Sequence, residues 1–538
     1  MKKRIIYIFS LILLIFGLAS CNTKNGINIG NKKVVSGKEL SYNYSDSYTK
    51  EIRKKMRDFE GMLDVTDNYE NILATWNEIN NYAYALYSYS NVEFVNYAIT
   101  ADMKSSMKES KYNDIFNEIS EWQNKMYEPI SKSIYKDQFF EGMTEEEIKD
   151  LIDNAFPSSY YEYDTTKMEL LAEYYNIKDD EFTTKVPYLY IRYIENAKKL
   201  AKSAGYETYV DYMYDYEYKR DYTPMQVQKF YGYVKTYIVP LFDKLYNKMM
   251  EVSSSLLPTT YMQYMTFSND FNIEENQRVA SYASYMGEKY NSTYTNLWDN
   301  GYYYFSNEKK SMEGAFTTYL YTENQPVLYF GPGYQSELTV VHEFGHYYAM
   351  SIGQGNFGSL DMAETHSQGN EMLYLSYLDK FDIINDTLSR VYEAESLINA
   401  CVSIIISAII DEFEQECFKA EKLYAKDLDP LFKQICDKYI GYDKLSSLFS
   451  ILPEDYWRMV VVENSCYYIS YAMSLIPSLY FYISAHNDFD NAKTTYLGMI
   501  DKLETEEVVF LEVLDEYNIF SPFDEEAYKE IANLDSYI

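Results

Sequence analysis

Residues that interrupt helices are scarce in this chain: 20 glycines and 12 prolines among 538 residues. Turn-bounded alternating strands are also few, which excludes an all-β architecture and predicts a mainly α fold. Basic side chains are outnumbered 48 to 82 by acidic ones, a formal charge of −34, and beyond Arg4 no run of Lys or Arg stands out. Such a surface repels phosphate backbones, so nucleic acid is set aside as a partner. Five cysteines are present and none is spaced as CxxC or in a zinc-ribbon pattern. Cys401, Cys417, Cys436 and Cys466 are even in number, which permits disulfides in an exported chain. Because positions 401 to 436 lie in a helical stretch, they are expected to pack as small apolar groups instead. Long apolar runs are missing too. Ile5 to Leu18 and Cys401 to Ile410 are both too short to span a bilayer, and the second reads as a buried core helix. No repeat of solenoid period is apparent.

What the chain does have begins at its N-terminus. Lys2, Lys3 and Arg4 precede the apolar stretch, which ends in Leu18-Ala19-Ser20-Cys21. That order reads as a lipoprotein signal peptide over 1–20 with Cys21 as the lipidated residue. It predicts an exported protein anchored to the cell membrane by lipid and facing outside the cytoplasm. Residues 21–47, rich in Asn, Gly, Lys and Ser, read as a flexible tether, followed by an N-terminal helical region at 48–220 and a catalytic region at 221–538. Hydrophobic residues at 47% and 63 tyrosines supply ample surface for a large core and a ligand cavity. Thr144 to Glu147 forms a capping box, and Thr223-Pro224 puts a capping hydroxyl ahead of a first-turn proline. Between Glu313 and Gly333, glycine turns and the segment Pro326 to Phe330 predict a small β-sheet.

His342-Glu343-Phe344-Gly345-His346 carries the HExxH pattern in a chain with only four histidines. On a helix, positions four apart share a face, so both imidazoles point one way and can bind a single Zn²⁺, one per chain. Glu343, one residue along, reaches a water and not the metal. Downstream, Glu364 and Glu371 are seven apart and share a helix face. One of them can complete the ligand set while the other accepts an N–H from a ligand imidazole.

These residues resemble the thimet oligopeptidase and oligoendopeptidase F family of zinc metallopeptidases. Glu364, Ser367 and Glu371 match the family's E-x-x-S-x-x-x-E motif, which implies Glu371 as the third zinc ligand and Glu364 as the partner of a ligand imidazole. Ala204-Gly205-Tyr206, Arg220 to Thr223, Lys310 to Phe316 and Ser521-Pro522-Phe523 extend the likeness from about residue 195 to the end. The tyrosine-rich strip Cys466 to Tyr471 implies that Tyr467 and Tyr471 contact substrate and the tetrahedral intermediate. The resemblance implies a large helical peptidase with a deep channel between two lobes, hydrolysing peptide bonds in unfolded oligopeptides. Glu343 would serve as general base, and the strand at Pro326 to Phe330 would pair with the peptide backbone. One feature departs from the family: Met459-Val460-Val461-Val462 lacks the histidine that usually precedes the strip. That departure motivates an alternative, a non-catalytic, lipid-anchored peptide-binding protein retaining the fold. Another zinc peptidase lineage, of the angiotensin-converting type, would have similar chemistry but fits the glutamate spacing less well.

Overall fold

Capping chemistry sets where several helices begin. Thr144 N–H donates to Glu147 Oε2 (2.6 Å) and Glu147 N–H to Thr144 Oγ1 (3.2 Å), opening a helix over Glu145–Asp153. Thr223 and Gln226 form the same reciprocal pair behind Pro224. Both starts are the ones predicted from sequence, and the fold is mainly α as expected. The computed structural model describes residues 34–153, 159–255, 277–381, 383–384, 386–448, 453–504 and 508–538. The signal peptide at 1–20 and Cys21 lie outside the described residues.

An N-terminal lobe is built on a helical hairpin, α1 (Tyr69–Thr100) and α2 (Met103–Lys132). Ala101 turns the chain between them in the left-handed region (φ 54°), and the Asp102 carboxylate caps α2 by accepting from Lys104 N–H. Small cores around Ile79 and Ile115, and around Phe59 and Trp76, serve this lobe alone. The main core takes in residues from Tyr163 to Ile538. Residues 163–220, expected to belong with the N-terminal region, therefore pack with the remainder, because the helix Phe182–Ser203 buries Val186, Leu189, Tyr190 and Tyr193 there.

Between the two bodies lies a four-stranded sheet: β1 (Val34–Ser36), β2 (Tyr303–Ser306), β3 (Ala315–Leu320) and β4 (Gln325–Phe330), in the order β1-β2-β4-β3. β2 and β4 run parallel and the other pairs antiparallel. Alternation splits β4 between two cores: Val327 and Tyr329 face α1, whereas Leu328 and Phe330 join the main core. Within the stretch expected to be a tether, Val34 to Ser36 pair with β2. Gly37 passes so close to Gly301 that a Cβ on Gly301 would lie 2.2 Å from the Gly37 carbonyl carbon. Lys38 Nζ then donates to Tyr302 Oη (2.8 Å) and pairs with Glu323 (2.5 Å).

The main core is built around α3 (Glu337–Ile352), α4 (Leu360–Lys380), α5 (Asp386–Lys419), α6 (Ile469–Asn487) and α7 (Phe489–Asp501). By length and composition the Leu388–Lys419 stretch of α5 would suit a membrane span. Yet 94% of its apolar window is buried inside the protein, which makes it the core helix expected at Cys401 to Ile410. Cys401, Cys417, Cys436 and Cys466 are all buried free thiols, as expected of small packing groups. Ile404 is fully buried in α5. Ile404→Ala should cost about 2–5 kcal/mol, measured as a lower urea midpoint, and an unchanged midpoint would contradict the central place of this helix.

Candidate metal centre

α3 is fixed at its start before it presents any chemistry. Ser336 Oγ accepts Thr339 N–H (3.1 Å), and Glu337, fully buried in the first turn, receives Arg278 (Nη2 to Oε2, 2.7 Å) and the Tyr374 hydroxyl. Helical period then puts His342 and His346 on one face, with ring centroids 5.0 Å apart. Gly345, between them, is where α3 meets α4. A Cβ there would lie 2.7 Å from Ser367 Cα and 2.8 Å from the His366 carbonyl oxygen. Nothing larger than glycine permits that approach. Asn370 adds a cross-link: its Nδ2 donates to the Val341 carbonyl (2.7 Å), while its Oδ1 accepts from Tyr282 and Tyr290 (2.8 Å each).

α4 brings Glu364 to the two imidazoles. Glu364 Oε2 lies 3.7 Å from His342 Nε2 and 3.9 Å from His346 Nε2, and the three donor atoms fall within 4.8 Å of one another. Glu371 is elsewhere: its Oε1 is 2.5 Å from Nδ1 of His342, on the opposite side of the ring. The structure thus exchanges the places expected of the two glutamates. Seven residues return to the same helix face but advance roughly 10 Å along the axis. Glu364 reaches the level of both Nε2 atoms, and Glu371 reaches only behind His342. Ser367, the motif's middle residue, donates to Glu364 Oε2 (3.3 Å).

Burial governs the electrostatics. It would lower His342, but the hydrogen bond and charge of Glu371 overcome it and bring that imidazole up to about 9. His346 has no such partner and is held well below the ordinary histidine value by burial, with His342 adding to the effect. Burial also raises Glu364 to about 7 and raises Glu343, the latter opposed by His342 and by Thr317.

Glu343 points toward the sheet. Thr317 Oγ1, on β3, donates to Glu343 Oε2 (2.7 Å). β3 is the edge strand on this side among the described residues, and β4 is paired on both sides. The strand at Pro326 to Phe330, expected to bind peptide by edge pairing, therefore has no free edge; β3 has one over Ala315 to Thr317, whereas its Tyr319 carbonyl accepts from Asn91 Nδ2 (2.9 Å). A cavity of about 140 Å³ adjoins it, walled by His342, Glu343 and Glu371 on its polar side and by Leu338, Met372 and Leu475 on its apolar side.

Tyr471 and Tyr468 also line this cavity, and Tyr467 connects to it through Tyr471, the two hydroxyls lying 3.1 Å apart. The loop that carries them turns at Cys466 (φ 56°) and is held on both sides. Glu414 of α5 accepts Cys466 N–H (3.0 Å) and Ser465 Oγ (2.8 Å), and Arg220 Nη2 donates to the Cys466 carbonyl and Ser470 Oγ (2.8 Å each). Met459 to Val462, where the histidine is missing, is buried at every position and offers no substitute. His366 offers none either. It is fully buried, both ring nitrogens lack a hydrogen-bond partner, and burial pushes it down to about 3, so it stays neutral. Thr317, Asn370, Arg220, Glu414 and Tyr468 were not anticipated from sequence. Arg220 and Tyr468 carried a signal, through their places in the Arg220 to Thr223 segment and the Cys466 to Tyr471 strip.

No protein-family model and no curated protein matches the chain, but solved structures do. A protein assigned as an oligoendopeptidase F superposes with a TM-score of 0.71 at 13% identity, covering 94% of this chain and 98% of its own. PZ peptidase A, in complex with an inhibitor, gives 0.69 at 15% identity, covering 93% and 99%. A protein from Bacillus anthracis str. Ames assigned as an oligoendopeptidase F gives 0.67 at 15%, covering 93% and 97%. The large helical peptidase fold expected from the sequence is the fold observed.

Gly345→Ala forces α3 and α4 apart and should cost about 1–3 kcal/mol or more. Metal content per chain, read by elemental analysis beside the urea midpoint, should fall with it; full metal content at unchanged stability would refute the close-approach account.

Proposed function

We propose that this protein is a zinc-dependent endopeptidase acting on unfolded oligopeptides, exported and held at the membrane by a lipid on Cys21. The observation that carries the catalytic part is the convergence of His342 Nε2, His346 Nε2 and Glu364 Oε2 beside Glu343 at a cavity bordered by a free strand edge. Two imidazole nitrogens and one carboxylate oxygen match the donor set of a catalytic zinc site. Glu371, on Nδ1 of His342, fixes that ring's tautomer and leaves Nε2 for the metal. The anchoring part rests on Lys2 to Arg4, the apolar stretch and Leu18 to Cys21.

His342, His346 and Glu364 would hold the ion, which would supply Lewis acidity for polarising a carbonyl and acidifying a water. Glu343, raised by burial and oriented by Thr317, accepts the proton of the attacking water and delivers it to the leaving amine. Tyr471 donates its hydroxyl to Tyr467, and the Tyr467 O–H donates to the developing oxyanion. The edge of β3 pairs with the peptide main chain and so tolerates varied side chains. The buried, histidine-free stretch Met459 to Val462 favours a second reading, a peptide-binding protein without turnover, which chelator-reversible cleavage of a peptide library would exclude.

Three outcomes follow from these roles. Glu343→Gln should keep zinc and fold while kcat falls by about 10²–10⁴; a variant with full turnover would remove Glu343 as the base. Glu364→Gln should lose stoichiometric zinc, whereas Glu371→Gln should weaken zinc by about 10–100-fold, and the reverse order would restore Glu371 as the ligand. Thr317→Val removes a hydrogen bond that lowers the Glu343 pKa, so the acid limb of kcat/KM should move to higher pH with the basic limb in place. A limb that stays put would separate Thr317 from the base.

A further inference from the structure

At the far ends of the helices that build the site, a second set of metal-type donors converges. Asp379 is in the last turn of α4, Glu393 lies near the start of α5, and His486 is near the end of α6. His486 Nε2 is 3.8 Å from Glu393 Oε1 and 3.9 Å from Asp379 Oδ2, and the three donor atoms lie within 4.8 Å of one another.

The tautomer of His486 is set by its other nitrogen. Nδ1 is 2.9 Å from the Tyr482 carbonyl oxygen, which can only accept, so Nδ1 carries the proton. Ser376 Oγ, 3.3 Å from Nδ1, already donates to the Met372 carbonyl and so takes only an acceptor's share. In the neutral ring Nε2 is then a lone pair facing two carboxylates. A metal-binding histidine has this arrangement, with one nitrogen tied to a backbone carbonyl and the other aimed at the ion. Distances of 3.8 and 3.9 Å are too long for direct hydrogen bonds.

Glu393 gives the independent sign that something is held there. Its side chain is 2% exposed, its Oε1 has no hydrogen-bond partner, and that atom is the one aimed at His486. His486 Nε2 is likewise buried and unpartnered. Among the described residues no lysine or arginine lies within ion-pair distance of Asp379 or Glu393. A buried carboxylate without a donor or cation is costly. Donors around a first-row divalent cation, bound at about 2.1 Å, stand roughly 3–4 Å apart, so a small movement of the half-exposed Asp379 completes the set.

We propose that Asp379, Glu393 and His486 form a second, structural site for a divalent cation of the zinc class, clamping the ends of α4, α5 and α6. It does not rest on the peptidase reading. α4 carries Glu364 and Glu371, α5 lines the cavity with Asn399 and Ser403, and α6 carries Tyr471, so the clamp joins at one end the three helices that meet the cavity elsewhere along their lengths.

The test uses the full chain with His342→Ala and His346→Ala, which disables the first cluster, stripped with chelator and titrated with Zn²⁺ under equilibrium dialysis. One Zn²⁺ per chain should remain, and adding His486→Phe or Asp379→Asn should weaken its binding at least tenfold. Asp379→Asn changes only a half-exposed side chain, and circular dichroism checks that each variant is folded. Zn²⁺ should also raise the Tm of the His342/His346 variant and should not raise it once Asp379→Asn is added. No Zn²⁺ bound by the folded His342/His346 variant, or the same stoichiometry and affinity after Asp379→Asn, would overturn the site.

Discussion

The backbone-to-backbone approach of α3 and α4 at Gly345 sets the geometry from which the rest of the centre follows. A helix pair kept apart by ordinary side chains has axes 8–10 Å apart, and the Glu364 carboxylate would then fall short of the Nε2 atoms on the facing helix. With no Cβ at Gly345, the main chain of His366 and Ser367 packs directly on α3. Asn370 locks the register by reaching the Val341 carbonyl one residue before His342. Glycine at this position acts through the space it vacates. The surrounding tyrosines, Tyr282 and Tyr290 among them, fill the flanks and orient the Asn370 amide.

Around that crossing the protein concentrates buried charge, and Glu337, Glu414 and Arg220 each meet partners on another element. Glu337 meets Arg278 and Tyr374, Glu414 meets the Cys466 amide and Ser465, and Arg220 lies over Tyr214 and Tyr218 with its centre 4.4 and 4.5 Å from their rings. Such pairs add little net stability compared with apolar packing, but losing one partner leaves an uncompensated charge. Their arrangement therefore specifies one placement of the loop at Cys466 and of the tyrosines after it. A chain with 63 tyrosines has many hydroxyls to satisfy, and some of them donate to buried carboxylates: Tyr374 to Glu337, Tyr222 to Asp361 and Tyr231 to Asp411.

Local signals in the sequence were legible where they depend on near neighbours. The capping residues at Thr144 and Thr223, the shared face of His342 and His346, and the turn-bounded strands near 315–330 all follow from spacing within a few residues. The helical peptidase architecture was legible through resemblance, not through composition. The order of the two glutamates was not legible, because spacing of seven gives a common face without fixing which residue stands opposite the imidazoles; that depends on the height at which α4 crosses α3. The pairing of Val34 to Ser36 and the edge of the sheet were not legible for a similar reason. β1 gains its partner from Tyr304 to Ser306, more than 260 residues away, and β4 is interior only because β2 inserts beside it. Thr317, Glu414 and Asn370 act across elements and have no marker in the chain.

Cys401, Cys417, Cys436 and Cys466 are buried free thiols, and burial governs their chemistry as well as their packing. Burial raises Cys401 and Cys436 to about 12 and the other two well above the ordinary thiol value. Exchange with disulfides or oxidants proceeds through the thiolate, which these surroundings suppress. These four cysteines then need no oxidative pairing step and no isomerase to correct one, and they keep the same covalent state in a reducing or an oxidising compartment.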